Sequence, residues 1–172
     1  MKKLINILLV LLFIIFQTIT MAQNENSPVP DSCRFDFWVG EWNLEWKDTQ
    51  GKTQTGTNNV MKILNDYVVL ENFSTSDSSF KGTSASVYNK NLGKWQQTWV
   101  DNSGAYLDFT GEFKDSKMIL SREAKRKTGE IIHTRMVYYN ITKNEFDWNW
   151  EKSTDNGSTW SLMWQIHYKR KT

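Results

Sequence analysis

Beyond Pro30 the chain contains no proline, and from Glu41 to Arg170 apolar and polar residues alternate in short segments, most of them ended by glycine, asparagine or aspartate. A period of two puts one face of a strand on a core and the other in water. Proline is the residue that a hydrogen-bonded sheet interior excludes. Near the start, Trp42, Leu44 and Trp46 alternate with Asn43, Glu45 and Lys47. At the far end Trp160, Leu162, Trp164, Ile166 and Tyr168 oppose Ser161, Met163, Gln165, His167 and Lys169. No segment longer than a turn or two carries the 3.6-residue apolar period of a helix.

The pattern predicts strands at Glu41–Lys47, Thr53–Leu64, Tyr67–Ser74, Phe80–Tyr88, Lys94–Val100, Ala105–Phe113, Lys117–Lys125, Ile131–Ile141, Glu145–Lys152 and Thr159–Arg170. The connections are short, which specifies an antiparallel meander. Left open, such a meander would expose two long edges, and closing it removes both. The expected fold is therefore all-β, a single up-and-down barrel of about ten strands. A β-sandwich is the second architecture, but it would usually carry longer crossover connections.

The first residues have a different character. Lys2 and Lys3 precede an apolar run from Leu4 to Phe16, and a small residue, Ala22, closes the segment. A basic start, a short apolar run and a small residue before the cut make a secretory signal peptide. The run is shorter than the ~20 residues a membrane span needs. The expected division is a signal peptide over 1–22, a flexible leader over 23–32 and a barrel over 33–172. Export to the periplasm or the exterior follows, with no transmembrane span in the mature chain. The whole chain has 21 Lys and Arg against 19 Asp and Glu. Removing Lys2 and Lys3 brings the balance to about zero, so no nucleic-acid partner is indicated. All nine tryptophans lie in the mature part, where they must fill a core, line a cavity or form a sugar-binding platform.

Facing follows from parity. On the last strand the tryptophan set should point inward, because burying each large apolar side chain contributes about 1.5–3 kcal/mol. The ninth predicted strand sets Phe146, Trp148 and Trp150 inward, and the fifth Trp95, Gln97, Trp99 and Asp101. On the third, Val69, Glu71 and Phe73 share one face, and Val68, Leu70 and Asn72 the other. On the eighth, Arg135 shares a face with His133, Val137 and Tyr139. An inward Glu71 needs a partner, since an unpaired buried charge is very unfavourable, and Arg135 is the candidate. The alternative is that both are solvated and point outward.

The residues Phe35-Asp36-Phe37-Trp38-Val39-Gly40-Glu41-Trp42 resemble the start of an uncharacterised, lipocalin-like family of mostly bacterial proteins. Gly93 to Asp101 with Gly104, then Arg135, then Ser153 to Trp160, extend the resemblance over the mature chain. It implies a secreted calycin-type barrel, and the family carries no established activity to transfer. Gly40-x-Trp42 also looks like the short lipocalin signature, which implies a cavity for a small apolar ligand.

The remaining motifs read as structure. Ser153 to Trp160 matches the S-x-D-x-G-x-T-W box, whose chemistry is that of a turn closed by Asp155 and Gly157 over Trp160. His167 raises the question of haem, but its parity points it outward, so no cofactor is expected. One cysteine and two scattered histidines do not make a zinc site. Neither histidine serves a Ser–His–acid arrangement, and Cys33 has no activator. The basic stretches Arg122–Lys127 and Lys169–Lys171 read as solvated hairpin ends. The expected ligand-binding residues are Trp42, Trp46, Trp95, Trp99, Trp148, Trp150 and Trp164, with Glu71 and Arg135 as polar anchors. If the chain is an enzyme, an isomerase or hydrolase in type, Glu71 or Asp101 is the expected acid or base. A carbohydrate-binding or solidly packed envelope domain is the third reading.

Overall fold

A computed structural model describes residues 29–172. The expected signal peptide lies outside the described residues, as does most of the expected leader. Asp31 and Ser32, its last two residues, belong to a short 3₁₀ turn, Asp31–Cys33, and a second such turn spans Asp36–Trp38. Ten strands follow: β1 Gly40–Lys47, β2 Thr53–Ile63, β3 Val68–Thr75, β4 Lys81–Asn89, β5 Lys94–Asp101, β6 Tyr106–Lys114, β7 Lys117–Lys125, β8 Ile131–Tyr139, β9 Glu145–Ser153 and β10 Ser161–Arg170. Each pairs antiparallel with its chain neighbours, and β1 pairs with β10, which closes a lipocalin-like up-and-down barrel.

The strand ends move by a residue or two, and turn chemistry explains where. β2 stops where Leu64, Asn65 and Asp66 all adopt positive φ. β8 stops before Asn140, at φ 52°. β10 starts late because Ser153–Trp160 forms the expected hairpin box. Asp155 accepts from the backbone and hydroxyl of Thr159, Gly157 takes φ 82°, and the Trp160 indole donates to the Gly157 carbonyl at 3.0 Å.

One end of the barrel is filled by the aromatic turn. Phe35 and Trp38 are fully buried and stacked at 4.8 Å, with Phe35 edge-on to Trp95 and Tyr138. The Trp42 indole donates to the Trp38 carbonyl at 2.8 Å, and Trp95 donates to the Asp31 carbonyl at 3.0 Å. Arg170 clamps this plug. Its guanidinium lies 4.1 Å from the Trp42 ring centre and donates to the carbonyls of Val39, Phe37 and Lys143. Arg170 is thus a structural clasp and not one of the solvated end charges expected from the sequence. Gly40 is required beside it: φ is +138°, and an added Cβ would stand 2.1 Å from Arg170 Nη1.

Two facings differ from the sequence reading. β10 carries a bulge between Leu162 and Trp164, so Leu162 pairs with Glu151 while Trp164 pairs with Trp150. One extra residue reverses parity. Leu162 and Met163 are therefore 54% and 58% exposed, while Trp164, Ile166 and Tyr168 point inward as expected. On β8 the inward residues are Met136 and Tyr138, which join the buried core. Arg135 lies on the outer face, paired to Glu151 at 2.6 Å and stacked 4.0 Å from the Trp160 ring centre.

Candidate functional site

The inward side chains of β3, β5, β6, β8, β9 and β10 leave a cavity of about 210 Å³. It lies away from the plug, at the end where β1, β3, β5 and β9 finish. Its walls are aromatic for a reason visible in the register. The last two strands line the cavity with Trp148, Trp150, Trp164, Ile166 and Tyr168, and Trp150 pairs directly with Trp164 and Met136. Phe73 stands edge-on to Trp99 and Trp164 at 6.2 and 5.9 Å, and Trp148 meets Trp164 at 5.7 Å and 90°. Phe109 is edge-on to Trp150 at 5.7 Å. Offset and edge-to-face pairs of this kind hold one another in place.

The polar part of the lining is Glu71, Asp101, Tyr138 and Tyr168. Glu71 is inward and only 6% exposed. Its partners are neutral. Oε1 accepts from Asn58 Nδ2 and Oε2 from Ser84 Oγ, both at 2.6 Å. β2 pairs with β3, and β3 with β4, so Asn58, Glu71 and Ser84 come from three adjacent strands. Asn58 also reaches the Tyr168 hydroxyl at 3.4 Å, while Asn58 Oδ1 is buried with no donor. A second buried pair, Gln97 donating to Ser86 at 2.9 Å, lies on the neighbouring strands. Burial pushes the Glu71 carboxyl up to about 7, against the hydrogen bonds from Ser84 and Asn58, which favour the charged form. Burial, and then the Glu71 charge, also hold the phenols of Tyr138 and Tyr168 above their ordinary range.

Asp101 is a carboxylate of a different kind. Oδ2 accepts from the Trp99 indole at 2.9 Å, and Oδ1 accepts from the Ser103 amide and hydroxyl and the Ala105 amide. Burial is the largest influence and acts upward, yet these donors together hold the carboxyl below its usual range. Asp101 therefore ends β5, closes the turn that follows and fixes the Trp99 ring. That ring lies across Gly82, where an added Cβ would be 2.1 Å from it.

Of the residues expected to bind a ligand, the structure brings Glu71, Trp99, Trp148, Trp150 and Trp164 onto the cavity. Trp42 and Trp95 belong to the plug. Trp46 sits behind the cavity wall, edge-on to Trp164 at 5.4 Å. Arg135 is on the outside of the barrel and is not the partner of Glu71. Asn58 and Ser84 take that role, and parity could not find them because β2 and β4 are polar on both faces. Phe73 is legible from the face it shares with Glu71, whereas Phe109 and Tyr138 have no signal in the sequence that separates them from other core aromatics. His167 is on the outer face, its Nδ1 2.9 Å from Asp147. Among the described residues no three metal-ligating side chains converge, and no helix is long and apolar enough to cross a membrane. No protein-family model matches the chain, and no curated protein matches it.

Proposed function

We propose that this chain is an exported lipocalin-like container, of the family its opening and closing motifs resemble, which holds a small, largely apolar molecule inside the barrel. The observation that carries the reading is an aromatic cavity of about 210 Å³ in a barrel whose other end is filled. A chain under no demand to bind would gain from packing that space, since voids in a core lose stability with their volume. The size falls below the ~300–1,000 Å³ usual for drug-sized ligands, so the guest is compact. Export rests on Lys2, Lys3, the Leu4–Phe16 run and Ala22.

Native mass spectrometry on protein taken from its host's secretory compartment tests both parts. The expected result is a chain beginning at Gln23 with a reproducible excess mass that is lost on denaturation. A bare chain whose tryptophan emission responds to no compact apolar probe would overturn the container reading.

A second reading, a cavity enzyme of the isomerase or hydrolase type, has one observation in its favour. A carboxyl at about 7 in an apolar chamber is poised to take and return a proton at neutral pH. Glu71 is its acid–base residue. Asp101, saturated by donors and held low, is the weaker candidate. Turnover lost in Glu71→Gln with binding retained would favour it. A sugar platform finds less support, because Trp148, Trp150 and Trp164 line the interior, while Trp160 is covered by Arg135.

A further inference from the structure

The charge pattern of the cavity narrows the guest further. Among the described residues that line it, two are carboxylates and none is Lys, Arg or His. A buried carboxylate is normally paired with a cation, yet Glu71 is held only by Asn58 and Ser84. The site is also short of donors. Each Glu71 oxygen accepts one hydrogen bond and has capacity for a second, and the Asn58 Oδ1 next to it, outside the cavity lining, is buried with no donor. Beside this acceptor cluster, Trp148, Trp150 and Trp164 enclose the space with π-systems, whose faces are negative and attract cations. An anionic head group would meet Glu71 with like charge and nothing to offset it.

We propose that the cavity accepts a compact organic cation, an aryl or alkyl primary amine whose ammonium group pairs with Glu71 while its apolar part lies among the tryptophans. The proposal rests on the container reading and adds the sign and donor character of the guest. The ammonium supplies three donors, and Glu71, which lines the cavity, offers acceptor capacity beyond its bonds from Asn58 and Ser84. The same arrangement leaves fatty-acid-like carboxylates unbound, although the walls are apolar enough for their chains.

The test compares three probes of one size, 2-phenylethylamine, 2-phenylethanol and phenylacetate, by tryptophan fluorescence and calorimetry at pH 8. The amine should bind at least about tenfold tighter than the alcohol, as a desolvated charge-assisted hydrogen bond allows, and phenylacetate should be weakest. Glu71→Gln should bring the amine to the affinity of the alcohol without changing the latter more than about threefold, because the replaced interaction is the charged one. Trp150→Leu gives an independent readout away from the buried polar cluster: it should weaken the amine more than the alcohol. Equal binding of all three, tightest binding of phenylacetate, or an amine preference that survives Glu71→Gln overturns the proposal and leaves the container reading standing. No response to any of the three overturns both.

Discussion

Glu71 concentrates the energetic tension of this molecule in one side chain. Its carboxyl titrates near 4.5 when exposed and at about 7 in the barrel. Between those values the folded state binds more protons than the unfolded state. Stability from this group is therefore fully present below about pH 4.5 and is lost as pH rises through about 7. The loss is on the order of 3 kcal/mol, because each tenfold change in proton affinity between the two states is worth about 1.4 kcal/mol. Urea denaturation at pH 5 and pH 8 should show the protein less stable at pH 8, and Glu71→Gln should flatten the difference. Asp77 and Asp155, held down to about 2 by hydrogen bonds in their turns, act in a separate, lower window and lose their contribution as pH falls toward 2. A wild-type curve that is flat from pH 5 to pH 8 would show that Glu71 is solvated or already paired.

At the scale of elements, the plug and the seam govern the barrel. Arg170 ties the last strand to the turn before the first through two backbone carbonyls and the Trp42 face, and to the β8–β9 connection through the Lys143 carbonyl. Arg170→Ala should lower stability by about 2 kcal/mol or more, the sum of charged hydrogen bonds and a cation–π contact. Arg170→Lys should recover little, because an ammonium cannot serve three divergent carbonyls and stack as well. The seam is shorter than the other joints. β1 and β10 pair only from Trp42↔Arg170 to Glu45↔His167, and among the described strands the part of β10 before His167 pairs with β9 alone, with a bulge between Leu162 and Trp164. Amides of Ser161–Gln165 should exchange with deuterium faster than those of Arg135–Tyr138, which are paired on both sides. Equal protection along both stretches would mean that the seam closes fully in solution.

For the whole molecule, the architecture separates stability from capacity. The plug end carries the fully buried aromatics Phe35, Trp38, Trp42 and Phe146, and the cavity walls add half-buried tryptophans, Trp99, Trp148, Trp150 and Trp164, to buried Phe73, Phe109, Tyr138 and Tyr168. Filling the cavity should therefore harm binding without harming the fold. Leu107→Trp, on the wall of the chamber, should lower probe affinity by at least about tenfold, as lost room outweighs added contact. The melting temperature should stay the same or rise. If the melting temperature drops sharply, the chamber wall is already tightly packed and the space is not available to a guest.

The alternation of the chain determined the strands, their antiparallel order and the closure of the sheet. Each follows from local periodicity, short turns and the need to leave no open edge, all of which act between residues near in sequence. It also determined the inward face of β5 and β9, where large aromatics leave one choice, whereas on β3 both faces carry apolar residues and the structure decided for Val69, Glu71 and Phe73. It could not place Arg135, because on β8 both faces carry apolar and polar residues and the outcome was decided by Trp160 and Glu151. Nor could it find the bulge that turns Leu162 outward, since an inserted residue has no periodic signature of its own. Above all, the neighbours of Glu71 were set by register across β2, β3 and β4. Asn58 and Ser84 are ordinary polar residues in their own strands, and only closure of the barrel brings them to one carboxyl in an apolar interior.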